Sequence, residues 1–350
     1  MNKKKWLGVF FTIFIIPVIA IGVFNFIIDP MNIFMHSNKF NNMRYYFDER
    51  KIKTLFLSHH KEDYNGLLLG SSRVTYYNPY DIDKLKIFNY SVSNGNPYEY
   101  KYFIDYFKKK NNLDYLIMGI DFLDVTFIKK HTYETEISKN KKMFDEIDNS
   151  STLELFANNY LNIDMTKQSL KNLKRYITNR TEHRAYNRNN FVLTDKVAEK
   201  KVKELAEERS QTYYDRYIGY DENFTNILKE VKNQNKSAKI LVFTPPLSKP
   251  FLDAIMANKT LKKYYYKWIN DLVDVFGTIY FTTFYSDISR NYQRFSKDGD
   301  HYYPFVGTEI LKFIFNENLS KHKVNIIDNI IIIDKNNKNA VIGMLKQNTE

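Results

Sequence analysis

Leu67-Leu68-Leu69-Gly70-Ser71-Ser72-Arg73-Val74 is the stretch from which the fold can be read. Three leucines are too few for a helix and suit a short, fully buried strand of a parallel sheet. Gly70 then permits a sharp turn and a close backbone approach. A hydroxyl delivered at the C-terminal end of such a strand stands where open α/β sheets place their ligands. Backbone N–H groups at such a turn can also stabilise an oxyanion. A Gly-x-Ser triplet alone is common by chance, so the reading needs a partner elsewhere in the chain.

That partner is Lys297-Asp298-Gly299-Asp300-His301-Tyr302-Tyr303-Pro304. Asp298 and His301 are three apart on a turn entering a helix. The carboxylate can fold back onto one imidazole nitrogen and leave the other free, which is the base and orienter that an activated serine requires. The chain order is Ser72, Asp298, His301. Asp300 is a rival orienter, disfavoured because adjacent side chains seldom meet that geometry. The competing reading makes Ser72 a turn hydroxyl and His301 a packing or capping residue of the next helix.

The chain has 350 residues, ample for a large core. It contains no cysteine, which excludes disulfides, thiol nucleophiles and Cys-based metal sites. The adjacent pair His59 and His60 points two ways and has no carboxylate cluster beside it, so it reads as surface histidine, and no metal is expected. Aromatic residues are abundant, with 28 Tyr and 27 Phe, and only 11 glycines are present. Five of those, Gly70, Gly95, Gly119, Gly299 and Gly307, fall in or beside the candidate site segments. The net charge of +12 suits an anionic envelope polymer, although a solvated basic surface explains it as well. No nucleic-acid motif is present.

Residues 1–5 are short and basic, and residues 6–28 carry no charge over a length that can cross a bilayer. No small-residue cleavage site follows, so the segment reads as an uncleaved signal anchor, with a cleaved signal peptide as the rival. Lysines before the span place the N-terminus in the cytoplasm and the remainder outside. Residues 29–64 read as a connector. From residue 65 strands and helices alternate: strands at 67–69, 87–92, 113–120, 239–244 and 278–284, and helices at 97–110, 250–275 and 304–319. Such alternation argues for a parallel sheet with covered faces. Residues 130–235 read as a charged helical insertion, either an acceptor-binding surface or lid, or a structural cover. In the C-terminal extension, 321–350, the stretches 326–334 and 339–345 read as a peripheral hairpin.

Taken together, Gly70-Ser71-Ser72, Asn89-Tyr90-Ser91-Val92-Ser93-Asn94-Gly95, Gly119-Ile120-Asp121 and Asp298-Gly299-Asp300-His301 resemble the four blocks of the SGNH/GDSL hydrolase superfamily. The resemblance covers residues 65–315 in short blocks. It implies a flavodoxin-like three-layer α/β sandwich around a central parallel sheet of about five strands, catalytic over 65–320. It implies Ser72 as nucleophile, with Ser71 at the position usually held by Asp, and no cofactor. Ser91 or Asn94 stands at the candidate glycine positions of the second block. Asp121 replaces the asparagine of the third. An ionised carboxylate there would repel an oxyanion. Either Asp121 points away, or it is protonated, or the donors are the backbone N–H of Ser72 or Ser93 and the side chains of Asn94 and Asn96.

With the signal anchor, the chain looks like the membrane-anchored, cell-surface branch of that superfamily. That branch includes alginate O-acetyltransferase-like proteins and the protein serving D-alanylation of teichoic acids. The implied activity is acyl transfer or ester hydrolysis on an extracytoplasmic polysaccharide or teichoic-acid-like polymer, with a multipass O-acyltransferase as expected partner. A scaffold protein with weakened chemistry is the alternative, and a lipase is disfavoured by the charged insertion. Arg73 would clamp a substrate phosphate or carboxylate, or else pair with a local acid. Tyr98, Tyr100, Tyr102 and Tyr106 would offer sugar-stacking faces or pack in the core, and Tyr302 and Tyr303 would line the pocket rim.

Overall fold

The structure is a computed structural model that describes residues 3–45, 48–60, 62–78, 85–126, 130–180, 184–215, 217, 219–315 and 327–347. Residues 1–2 of the expected cytoplasmic end, 316–319 of the expected helix and 326 of the expected strand lie outside these. The chain divides into two compact units, Met1–Lys61 with Lys142–Leu193, and Glu62–Lys141 with Thr194–Glu350. Residues 130–235 thus contribute to both units.

The first unit begins with α1 (Lys3–Ile28), continuous through Pro17 and long and apolar enough to cross a membrane. Helix α2 (Glu49–His59) follows. The helix α4 (Lys130–Asn149) ends in this unit, followed by α5 (Thr152–Tyr160) and α6 (Ile163–Thr178). A small antiparallel sheet of Arg44–Tyr45, Ala185–Tyr186 and Val192–Leu193 adds strand structure that the helical reading of this segment did not anticipate. Pairs of residues are too short to show an alternating pattern in sequence. Met31, Ile33, Ile52, Leu55, Ile147, Leu155, Tyr160 and Met165 form a buried apolar cluster in this unit.

The second unit is built on a mixed six-stranded sheet: β1 (Gly66–Gly70), β2 (Ile87–Asn89), β3 (Tyr115–Gly119), β4 (Lys239–Phe243), β5 (Thr278–Phe281) and β6 (Ile331–Asp334), in spatial order 2-1-3-4-5-6. The first five are parallel and β6 is antiparallel to β5. Every residue of β1 is buried, as expected of a strand covered on both faces. Helices α3 (Pro97–Lys108), α8 (Phe224–Gln234), α10 (Lys259–Phe276) and α12 (Lys338–Gln347) pack side by side. Helix α7 (Glu199–Tyr213) packs on α9 (Lys249–Ala257), and α11 (Pro304–Ile314) packs on the turn Val74–Tyr76. The expected single helix 250–275 is two, because Asn258 caps the second by accepting from the backbone N–H groups of Thr260 and Leu261.

The expected peripheral hairpin is corrected. Ile331–Asp334 joins the main sheet as its edge, and 338–347 is helix, not strand. The Asp334 carboxylate accepts from the N–H groups of Asn336 and Asn337, an Asx turn that ends the strand and launches α12.

Two glycines fix the crest of this sheet. Gly70 ends β1 and lies in register with Gly119, which ends β3. A Cβ on Gly70 would stand 2.3 Å from Val74 Cγ2, and one on Gly119 would stand 2.4 Å from the same methyl and 2.7 Å from the Phe243 ring. The glycine pair therefore leaves the seat into which Val74 drops, folding the turn 71–76 back over the strand ends. Gly119→Ala is expected to cost about 1–3 kcal/mol through overpacking. Adding Val74→Ala should return part of that loss in a double-mutant cycle followed by urea denaturation.

Candidate functional site

Parallel strands deliver their C-terminal ends to one edge, so the segments after β1, β2 and β3 meet there by construction. The strand order reverses between β1 and β3, the place where open α/β sheets form a crevice. Ser72 follows β1 in the Val74-seated turn and is half-buried. The turn 296–301 arrives between β5 and α11. Its chain reversal uses Gly299 at φ +65° and is closed by the Ser296 N–H donating to the His301 carbonyl at 2.7 Å.

Within that turn Asp298 is saturated with donors. Its Oδ1 accepts from the backbone N–H groups of Asp300 (3.1 Å) and His301 (3.0 Å) and from Ser296 Oγ (3.1 Å). Its Oδ2 lies 2.7 Å from His301 Nδ1. A carboxylate there fixes the proton on Nδ1 and leaves the lone pair of Nε2 free to accept. His301 Nε2 lies 2.8 Å from Ser72 Oγ, across 229 residues of sequence. The His301 ring is stacked on Tyr76, with centroids 5.2 Å apart. Such a chain of contacts can move the Ser72 proton to Nε2 while the imidazolium is stabilised by Asp298.

Asp300 faces away from His301. Its carboxylate accepts from Arg73 Nη2, and Arg73 Nη1 donates to Asp121 Oδ1 at 2.9 Å. Ser71 Oγ donates to the other oxygen of Asp121. Arg73 is only 2% exposed, so it is committed to local acids rather than presented to a substrate anion. Asp121 is likewise turned into this ion-pair cluster. Behind it, Asp124 Oδ2 accepts the Asp121 N–H at 3.0 Å. Burial, and then the nearby Asp121 charge, push the Asp124 carboxyl well above its usual range.

The β2 segment has other commitments. Ser91 is buried and donates to Asn89 Oδ1 through both N–H and Oγ. Asn96 caps α3, accepting from the Tyr98 N–H at 3.1 Å and donating to the Tyr133 hydroxyl at 3.2 Å. Ser93 is half-buried, and Asn94 is exposed at φ +53°. Gly95 donates to the Val92 carbonyl at 2.9 Å. Among the tyrosines, Tyr100 and Tyr106 are core residues, while Tyr98 stacks on Tyr133 with centroids 4.8 Å apart. Tyr302 and Tyr303 are buried, and Tyr302 packs edge-on against Tyr77. The expected rim positions are corrected, because the bridge between Phe295 and Tyr302 turns that ring inward.

Arg209 of α7 is a site residue that the sequence did not suggest. Its Nη1 lies 3.2 Å from Asp298 Oδ2 and its Nη2 lies 3.7 Å from Asp300 Oδ2. One turn earlier, Ala206 leaves room for Gly299, whose added Cβ would come within 2.3 Å of the alanine methyl. Ala206 and Arg209 share a helix face. No motif marks them, and only the folded chain brings them to a turn some 90 residues away.

No family model, curated protein or solved structure matches this chain.

The raised Asp124 carboxyl has a measurable consequence. A carboxyl with a folded value above its unfolded value of about 3.9 binds more protons in the native state. Its contribution to stability therefore falls as pH rises from about 4 toward the raised folded value. Asp124→Asn keeps an acceptor for the Asp121 N–H and removes the titration. Denaturation midpoints of variant and parent, measured across that range, should diverge in favour of the variant as pH rises.

Proposed function

We propose that this chain is a serine-dependent O-acyltransferase or esterase of the SGNH/GDSL type, anchored by α1 and acting outside the cytoplasm on a cell-surface polysaccharide or teichoic-acid-like polymer. The observation that carries the reading is the Ser72–His301–Asp298 chain, with contacts of 2.8 and 2.7 Å. The fold supports it: the order 2-1-3-4-5 of the five parallel strands is the flavodoxin-like doubly wound order, with β6 as an added antiparallel edge. The apolar helix α1, which opens with three lysines, supports an anchor with its N-terminus in the cytoplasm. The net charge of +12 suits an anionic polymer.

In the proposed reaction, His301 Nε2 takes the Ser72 hydroxyl proton as Oγ bonds to the acyl carbon of a donor ester. The tetrahedral oxyanion collapses, the bond to the leaving alcohol breaks, and His301 returns the proton to that alcohol. A sugar hydroxyl or water then attacks acyl-Ser72, giving its proton to His301, and Ser72 Oγ departs and is reprotonated. The oxyanion donors are the backbone N–H of Ser72 and a group from the turn Ser93-Asn94. The side chains of Ser91, Asn96, Asp121 and Arg73 serve the framework of the site. A multipass O-acyltransferase is the expected source of the acyl group.

The scaffold alternative drew its weight from the carboxylate at position 121. The pairing of Asp121 with Arg73 and Ser71 offsets that charge and favours the enzyme reading. Incubation with p-nitrophenyl acetate followed by intact-mass measurement tests the choice. The expected result is one added acetyl group, absent in Ser72→Ala, with p-nitrophenol release lowered on the order of 10³-fold or more in that variant. Equal release by Ser72→Ala would remove Ser72 from the chemistry, and a folded protein inert toward acyl donors would favour the scaffold.

A further inference from the structure

The first unit carries an apolar surface that neither its own core nor the proposed chemistry uses. On α6, Ile163, Leu170 and Ile177 are 70, 53 and 72% exposed. They are seven residues apart, so they form one stripe along the helix. The opposite side of α6, with Met165, Ser169, Asn172 and Arg175, is buried in the unit. Lys167, Lys171 and Lys174 are exposed along one flank of the stripe. Leu161, in the turn before α6, and Leu153, at the start of α5, are exposed as well.

The position of this stripe beside α1 indicates its occupant. The α5–α6 corner is seated on the last two turns of α1. A Cβ on Gly22 would stand 2.8 Å from Leu161 Cδ2, and Asn25 Nδ2 donates to the Tyr160 carbonyl at 2.6 Å and to Thr166 Oγ1 at 3.0 Å. Asn25 is the one strongly polar side chain near the end of the span, and this corner engages its amide nitrogen. The rest of α1 is exposed and apolar from Trp6 to Ile27. At about 1.5 Å per residue, the corner meets α1 roughly 5–9 Å before its C-terminal end at Ile28. That is the depth at which interfacial helices bury their apolar faces, with lysines reaching out to the headgroups.

We propose that α6 lies along the bilayer surface as an interfacial helix, with Ile163, Leu170 and Ile177 in the headgroup–acyl boundary and Lys167, Lys171 and Lys174 against anionic headgroups. This inference rests on α1 being a membrane span. The stripe and the span form one membrane-facing surface of the first unit.

The chain has no cysteine, so single labels are unambiguous. The full chain is reconstituted into vesicles containing phosphatidylglycerol. A polarity-sensitive fluorophore is placed on Leu170→Cys, Ile177→Cys, Phe14→Cys in the span, and Lys335→Cys on an exposed turn. Quenching by lipids spin-labelled near the headgroup is then compared. The expected result is a label at Phe14 in the acyl region, and labels at 170 and 177 blue-shifted and quenched about twofold or more beyond the label at 335. Labels at 170 and 177 matching that at 335, with Phe14 embedded, would overturn the interfacial helix and leave the anchor standing. Blue-shifted labels that lipid cannot quench would mean that protein covers the stripe, and would overturn it too. A Phe14 label outside the acyl region would overturn the span, and the inference with it.

Discussion

Arg73 holds the site together. Its guanidinium joins two carboxylates that reach it from different loops: Asp121 follows β3, and Asp300 belongs to the turn that also carries Asp298 and His301. Beside that bridge, the β1 turn meets the distal turn through the Ser72–His301 contact and through the Tyr76 ring stacked on His301. A buried ion pair is a poor source of net stability, because desolvation offsets much of the attraction. Removing one partner is a different matter, since without Arg73 the buried Asp121 carboxylate would lose its arginine and Asp300 would keep only the longer contact to Arg209, at a cost of about 3–5 kcal/mol. Arg73 is therefore best understood as a positioning device, and its neighbour Ser72 inherits the placement.

The charges continue outward from it. Arg209 sits between Asp298 and Asp300, so acids and bases alternate from Asp121 through Arg73, Asp300 and Arg209 to Asp298 and His301. This second arginine, Arg209, shares the Asp298 oxygen that orients His301. Steric devices support the electrostatic ones: Val74 on the Gly70/Gly119 seat, Gly299 on Ala206, and Tyr76 against the imidazole face. Each fixes a backbone turn from which a polar side chain is then aimed.

How much of this could be read in the sequence follows from the range of each interaction. The leucine run before Gly70 and the other short apolar runs mark the strands, because burial on both faces demands an unbroken apolar stretch. The Asp298/His301 pair was legible because its geometry is local, three residues on one turn. Asp121 was legible as a position but not as a role: whether a carboxylate faces an oxyanion or an arginine depends on where Arg73 points. Arg209 was not legible, because α7 reaches the distal turn only through tertiary packing. The run 331–333 showed a strand but not its direction, and the helix after it was hidden by the Asn/Lys-rich turn. Two-residue strands at 44–45, 185–186 and 192–193 leave no periodic trace.

The two units differ in what they bury and expose. The sheet unit buries an ion-pair cluster under a half-exposed hydroxyl, and the other unit presents apolar residues on α1 and α6. The central claim is that Ser72 is a nucleophile activated by His301. Its most direct test is peptide mapping after exposure to a serine-directed fluorophosphonate. A single phosphonyl adduct on the peptide carrying Ser72 is expected, strongly diminished in His301→Gln. An adduct on another serine, or labelling of Ser72 that is indifferent to His301, would contradict it.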